Sequence, residues 1–473
     1  MNEEIINNNS TKSDIVNNKN DYTMLSFILL AFIFIFQYSS KAEEIKINMV
    51  LSNDQSKKSQ ISLTNYLFWK YLILYQLTHG IIYFLTNNIN NLSLNYYYFF
   101  ISILLSFSFI LFFGKQIFNK NKCILVYGII LLFASLYTVL VSFNLITVNN
   151  YFQVLKNVLE IFIHIFLMNN FEIEYNKLID DTQIKNNLIN NFIEKNELIT
   201  IFMKITFQFI YSNLNNNNYF KQLKINTPSN FLSLLFSLLI ILIYLYWNKK
   251  EENNNDKKKE NDTLNNNYNN NYKIIFVISV TELFINVIYS LYKNNVIDFL
   301  KNKKQENNYY HLYNILILSI LSGITSFRIL YSFYGANISS IAKINAMIFS
   351  VGIALVYFYK DFYKNLYGAL LIEASFGLYS VLYKRIKLYE LKDCLINKKA
   401  MIWLYLEIMK IGGEVITIKY NNIIKEPILF CLIISCVYFC ITYFSFGNII
   451  IKNDENNTGN IKDEKIIKKK KNK

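Results

Sequence analysis

Apolar runs separated by short polar stretches set the rhythm of this chain from Met24 onward. Runs at Met24–Tyr38, Tyr66–Leu85, Leu92–Phe113, Cys123–Leu145 and Tyr151–Met168 are followed by Leu198–Leu214 and Phe231–Trp247. After a polar interval, Ile274–Tyr292, Tyr309–Tyr334, Tyr334–Phe358, Tyr363–Tyr383 and Ile428–Phe446 complete the series. Roughly 20 predominantly apolar residues are the length of a helix that crosses a bilayer. The pattern therefore predicts an all-α polytopic membrane protein. Leu198–Leu214, interrupted by Lys204, is the weakest run, and the stretch from Lys399 to Met409 reads only as weakly amphipathic.

The polar intervals organise these spans. Residues 1–21 form an Asn-rich leader whose composition predicts disorder, and 169–196 reads as a polar loop or insertion. Residues 248–271 (NKKEENNNDKKKENDTLNNNYNNN) are a charged low-complexity linker. These segments divide the chain into a first transmembrane half, 22–247, and a second, 272–385. An extension, 386–473, carries the last apolar run, 428–446, and a lysine-rich tail.

Composition agrees with a membrane location. Of 473 residues, 53% are hydrophobic and 17% aromatic, with mean hydropathy +0.21. The net charge of +15 comes from lysine, Arg328 and Arg385 being the only arginines. Nucleic-acid binding is not read from it; loop lysines would instead orient the spans by the positive-inside rule. Five cysteines and three histidines show no zinc-ligand spacing, so no metal or other cofactor is expected. There is no G-x-x-x-x-G-K-[ST] loop that would bind ATP.

Charges inside the apolar runs are the candidate chemistry. Lys343 lies near the start of the 334–358 run, and a lysine at the centre of a span costs about 2.5–3.5 kcal/mol on insertion scales. Lys156 begins the 151–168 run in a similar way. Val154 and Leu155 answer Ile341 and Ala342, while Ile161 and Phe162 answer Ile348 and Phe349. Two such helices, one in each half, fit an internally duplicated transporter. Snorkelling to the interface is the alternative role of Lys343, and pairing with Glu160 one turn on is that of Lys156. Arg328 lies well inside its run, where it could bind cargo or pair with Glu282 or Glu373. His164 fits a hydrogen-bonded packing role better than a ligand role.

The 127–168 stretch resembles the third and fourth helices of the nucleotide-sugar transporters of the drug/metabolite transporter superfamily. Phe152, Gln153 and Val154 match that family's F-Q-V motif. Asn157, Val158 and Leu159 stand where it has Q-L-K, so the usual lysine is replaced by Lys156, three residues earlier. Tyr334, Asn337, Lys343, Ala346 and Ser350 match elements of the family's ninth helix, with Asn345 at a position where Phe is common. Gln76 and His79 fall at the Glu-x-x-Lys position of its second helix, both altered.

The resemblance implies about ten transmembrane helices in two pseudo-symmetric five-helix halves, with room for one or two extra spans. It implies an antiporter, not an enzyme, that exchanges UDP-N-acetylglucosamine or UDP-galactose for UMP across a Golgi or endoplasmic reticulum membrane. Lys343, Lys156 and Arg328 would meet the phosphates, and Gln153, Asn337 and Tyr334 would complete the substrate site. Nucleotide sugar, nucleoside monophosphate and lipid bilayer are the expected partners, and a homodimer is compatible with the family. The final Lys470-Lys471-Asn472-Lys473 fits a dilysine retrieval signal, with a polybasic lipid-binding tail as its rival. Two other functions stay open: a drug/metabolite transporter of different cargo, and a polytopic glycosyltransferase with a lipid-linked donor, for which Glu43, Glu44 and Asp54 would be the acidic loop residues.

Overall fold

The computed structural model describes residues 24–38, 55–87, 96–119, 123–145, 151–167, 171, 174, 182–216, 227–252, 272–295, 309–334, 338–359, 362–390, 396–420 and 424–446, single positions within some ranges excepted. The described residues are helical almost throughout. In chain order the helices are α1 (Met24–Ile35), α2 (Gln55–Asn87), α3 (Tyr96–Asn119), α4 (Cys123–Ser142), α5 (Tyr151–Ile163), α6 (Thr182–Asn216) and α7 (Asn230–Glu252). They continue with α8 (Tyr272–Tyr292), α9 (Tyr309–Tyr334), α10 (Ile338–Phe358), α11 (Phe362–Glu390), α12 (Ile396–Tyr420) and α13 (Pro427–Ile441), which runs on through a π-helical turn, Thr442–Phe446. Stretches of α4, α8, α9, α10, α11 and α13 are long and apolar enough to cross a membrane. The protein is therefore a polytopic helical membrane protein.

The chain divides into two compact bodies. Leu51–Ile275 with Lys387–Val415 forms one, and Phe276–Ile386 with Met1–Val50 and Ile416–Lys473 forms the other. Two five-helix halves are not what the structure shows: α2–α7 share a body with most of α12, and α8–α11 share theirs with α1 and α13. Buried polar residues explain the discrepancy. From Thr182 the expected polar loop is already helix α6, whose Asn191, Glu194, Asn196 and Thr200 are buried beside Phe192 and Ile193. Likewise α12 buries Glu407 together with Trp403 and Leu404. Helices with polar inner faces have low hydropathy, so apolar runs alone under-represent them.

In the first body α4 and α7 are joined by a polar seam. Asn230 Nδ2 donates to the Thr138 carbonyl at 3.0 Å, to Ser142 Oγ at 2.7 Å and to Thr227 Oγ1 at 2.9 Å, and Ser135 Oγ donates to the Ser233 carbonyl at 3.1 Å. Small hydroxyl residues let helices approach while giving them hydrogen bonds that lipid cannot offer. Leu238, Leu242 and Leu245 of α7 are exposed, as are Leu104, Leu111 and Phe112 of α3, forming surfaces suited to lipid tails.

In the second body glycine sets the closest crossing. A Cβ at Gly323 of α9 would overlap the Ala374 carbonyl of α11, and one at Gly377 would overlap the Ile320 carbonyl. Gly352 and Gly368 make the same kind of approach between α10 and α11, each Cβ position lying 3.0 or 2.8 Å from the other's carbonyl oxygen. These crossings place the polar face of α11 against its neighbours. That face holds the functional groups.

Candidate functional site

Helix α8 carries a polar stripe along its mostly apolar length: Glu282, Asn286, Tyr289 and, just past its end, Lys293. The spacing i, i+4, i+7, i+11 puts all four on one side of a helix. Glu282, Asn286 and Tyr289 are buried at 3%, 5% and 9% exposure. Such a stripe inside a membrane-spanning helix is expensive unless it meets polar partners or serves a ligand.

Helix α11 meets it with Glu373, Tyr379 and Tyr383, all buried. The Tyr289 hydroxyl donates to Glu373 Oε2 at 2.8 Å, and the Tyr289 ring stacks on Phe376 with centroids 3.7 Å apart and planes 2° from parallel. Tyr292 also borders Glu373, and the Lys293 ammonium lies 4.5 Å from the Tyr289 ring centroid. Farther along, Tyr379 borders Glu282, and Tyr383 borders Thr281 and Glu282. Asn286 Nδ2 donates to the Glu282 carbonyl at 2.7 Å and lies 3.4 Å from its Oε2. Each helix thus gives one carboxylate and receives a tyrosine from the other. The register descends along α11 as it rises along α8, so the two helices run antiparallel.

The cluster continues onto α10 and α13. Ser375 Oγ donates to Asn345 Oδ1 at 2.7 Å, and Tyr438 borders Asn345, Tyr383 and Thr442. Lys343, two residues before Asn345 on α10, is half-buried with its ammonium 4.7 Å from the Tyr443 ring centroid. Among the described residues no carboxylate lies within ion-pair distance of Lys343. Arg328 is buried at 7% and is already engaged within the chain. Glu373, one of the two carboxylates named as a partner for Arg328, accepts a phenol hydrogen bond from Tyr289. Asn337 lies outside the described residues, as does the side chain of Tyr334.

The other sequence-derived candidates belong to the first body. Lys156 pairs with Glu160 at 3.5 Å, and both side chains are partly exposed. Gln153 is 4% exposed, and its Oε1 has no hydrogen-bond partner among the described residues. Asn157 Nδ2 reaches Ser102 Oγ at 3.4 Å, joining α5 to α3. Gln76 Nε2 donates to Asn196 Oδ1 at 3.1 Å and Thr200 Oγ1 at 3.0 Å, while His79 lies with its ring 4.6 Å from that of Tyr75. His164, Glu43, Glu44, Asp54 and the C-terminal lysines lie outside the described residues.

Sequence reasoning missed Tyr289, Asn286 and Tyr379. The 282–286–289–293 stripe was the available signal, because its polar and aromatic residues repeat at helical spacing along one face. Tyr379 had no comparable signal among the many tyrosines of the chain.

The chain matches no protein-family profile and no curated protein. Its fold is similar to those of solved transporters. A bacterial homologue of the iron transporter ferroportin, in an outward-facing state with soaked iron, aligns with TM-score 0.56 and 12% identity over 81% of this chain and 98% of its own. A Major Facilitator Superfamily transporter, FucP, in the outward conformation, aligns with TM-score 0.56 and 11% identity over 81% and 97%. The Escherichia coli fucose:proton symporter aligns with TM-score 0.55 and 12% identity over 83% and 99%. At this identity the likeness defines the architecture: the chain has the fold of Major Facilitator Superfamily transporters.

Proposed function

We propose that this chain is a secondary transporter that carries a hydrophilic organic anion across a membrane. The transporter fold supports the class, and the buried ionisable groups of α8 and α11 give it polar chemistry inside the membrane. The observation that carries the anionic cargo is Lys343, a lysine on a membrane-spanning helix with no carboxylate partner among the described residues. A phosphate is a natural counter-ion for such an ammonium.

The Phe152-Gln153-Val154 motif and the surroundings of Lys343 narrow the proposed cargo to a UDP-sugar exchanged for UMP, with UDP-N-acetylglucosamine first and UDP-galactose second. A Golgi or endoplasmic reticulum membrane is the corresponding location. Lys343 leads the phosphate contacts in this reading, with Arg328 of the same body as a further polar group. Lys156 is already compensated by Glu160 and contributes less.

The test is uptake of labelled nucleotide sugars into proteoliposomes preloaded with UMP, GMP or CMP, using wild type and Lys343→Ala. Uptake that requires internal UMP and collapses in the variant supports the reading. Exchange that persists in Lys343→Ala keeps the cargo and removes Lys343 from the site. No exchange with any nucleotide by folded wild-type protein rejects nucleotide-sugar cargo.

A second reading, proton-linked symport, is favoured by Glu373. Its carboxylate is 2% exposed and accepts from the Tyr289 hydroxyl within apolar spans, an arrangement suited to carrying a proton. An imposed pH gradient in place of internal UMP distinguishes the two: symport accelerates with the gradient, whereas nucleotide exchange does not.

A further inference from the structure

Three buried polar groups of the second body belong to neither transport reading. Asn345 of α10, Tyr438 of α13 and Thr442 at the head of the π-helical turn are each 0% exposed. Ser375 Oγ donates to one half of the Asn345 amide at 2.7 Å, and the other half has no partner among the described residues. The same holds for the hydroxyls of Tyr438 and Thr442. The three lie together, since Asn345 and Thr442 both border the Tyr438 hydroxyl.

Helix geometry accounts for the threonine. A buried threonine within an α-helix commonly donates to the carbonyl four residues earlier. Thr78, Thr200 and Thr325 do so in this chain at 2.8, 2.7 and 3.0 Å. Thr442 begins the π-helical turn and makes no such bond. Turns of this kind are rare and concentrate at functional sites. Among the tyrosines Tyr127 is the contrasting case: equally buried, its hydroxyl donates to the Leu159 carbonyl at 3.0 Å. Three adjoining polar groups, buried and unpaired, are costly unless one ligand answers them all.

The chemistry of that ligand follows from theirs. It has to make about three hydrogen bonds and to serve hydroxyls that both donate and accept. Water has this valence, and buried waters typically make about three bonds to groups the protein leaves unpaired. Tyr438 also borders Tyr383, and Tyr383 borders Glu282. Glu282 in turn faces Asn286 on its own helix and Tyr379 and Tyr383 on α11. A water among Asn345, Tyr438 and Thr442 therefore stands at one end of a row of hydroxyls that reaches a buried carboxylate.

We propose that an internal water molecule bridges Asn345, Tyr438 and Thr442, and that with Tyr383 it forms a proton path to Glu282. The path rests on the proton-symport reading and adds Glu282 to Glu373 as a second proton-carrying carboxylate. A proton taken up by the water passes along the hydroxyls, each giving one proton as it receives another. It ends on the Glu282 carboxylate, which becomes the neutral acid, and release reverses the sequence.

Two measurements on the full-length protein test the water and the path separately. Hydroxyl-radical footprinting in nanodiscs labels a buried side chain where bound water lies beside it. Tyr438 should be labelled about fivefold faster than Tyr127, and Thr442→Val should reduce it to the Tyr127 rate. Equal, slow labelling of the two tyrosines in the wild type overturns the whole proposal and leaves symport through Glu373 standing.

The path is read in proteoliposomes with labelled UDP-N-acetylglucosamine as the probe. Tyr438→Phe, which keeps the ring against Phe349, and Thr442→Val should each slow pH-gradient-driven uptake about tenfold. Equilibrium exchange of the probe at equal pH on both sides needs no proton release and should stay at the wild-type rate. Thr442→Ser, which restores the hydroxyl, should recover gradient-driven uptake. Equal losses in the two assays, or gradient-driven uptake at the wild-type rate in Tyr438→Phe, overturn the path. A wild type without gradient-driven uptake of the probe overturns the path together with the symport reading, and the footprint then decides the water site alone.

Discussion

The Tyr289 hydroxyl donates a 2.8 Å hydrogen bond to Glu373 Oε2, joining α8 to α11 within two apolar spans. The same tyrosine stacks on Phe376, so its ring is positioned independently of its hydroxyl. Tyr289→Phe keeps the stack and removes the donor. We expect a folded protein destabilised by about 0.6–2 kcal/mol, read as a lowered thermal midpoint in detergent. Glu373→Gln separates the two transport readings: it should abolish uptake driven by a pH gradient and leave UMP-dependent exchange intact. Full gradient-driven uptake by the variant would exclude Glu373 as a proton carrier.

The crossing of α9 and α11 predicts a steric result. Gly323→Val or Gly377→Val places side-chain carbon against the Ala374 or Ile320 carbonyl, backbone that cannot rotate aside. Each should destabilise the protein by about 1–3 kcal/mol or prevent its recovery in a monodisperse form. Gly412 is the control, since a Cβ there meets nothing within 4 Å. Gly412→Ala should be neutral or stabilising by up to about 1 kcal/mol, because alanine favours helix over glycine. Thermal unfolding followed by circular dichroism reads all three.

Legibility of the fold depended on where each helix keeps its polar groups. The spans of α4, α8, α9, α10, α11 and α13 were readable because their apolar runs are long enough for a bilayer. Helices α6 and α12 were hard to read because they turn Asn191, Glu194, Asn196 and Glu407 inward, which lowers their hydropathy while they stay buried. Grouping of helices into two bodies was not readable at all. It depends on which faces meet, and a one-dimensional apolar pattern does not encode that. The site was legible only in part: the spacing of Glu282, Asn286, Tyr289 and Lys293 marks one helical face, but the partners on α11 follow from the three-dimensional register.

The seam between α4 and α7 predicts that Asn230 is a principal polar contact of the first body. Its amide donates to the Thr138 carbonyl, Ser142 and Thr227 at 2.7–3.0 Å. Hydrogen bonds between membrane helices average about 0.6 kcal/mol, so Asn230→Ala should cost about 1–2 kcal/mol. Asn230→Asp should be worse, because the Thr138 carbonyl cannot donate to a carboxylate and the variant brings a buried charge. Thermal stability in lipid nanodiscs checks the order wild type, Ala, Asp.

The two lysines that open apolar runs in similar ways differ in what surrounds them. Lys156 has Glu160 one turn away at 3.5 Å, with the side chains 24% and 36% exposed, so much of its charge is answered locally and by solvent. Pairs of this kind contribute only about 0.3–0.5 kcal/mol on a helix, and Lys156→Gln should change KM for exchange by about twofold or less. Lys343 has an aromatic ring beneath it and no carboxylate partner among the described residues. An anionic cargo would complete that arrangement, so Lys343→Gln should raise KM about tenfold or more, the scale of a lost charge-assisted contact of roughly 1.5–3 kcal/mol. Lys343→Arg should restore part of the loss if the partner is a phosphate, because guanidinium also binds phosphate and retains the positive charge. Equal, small effects at both positions would assign Lys343 to packing on Tyr443 and move the search for the cargo cation to Arg328.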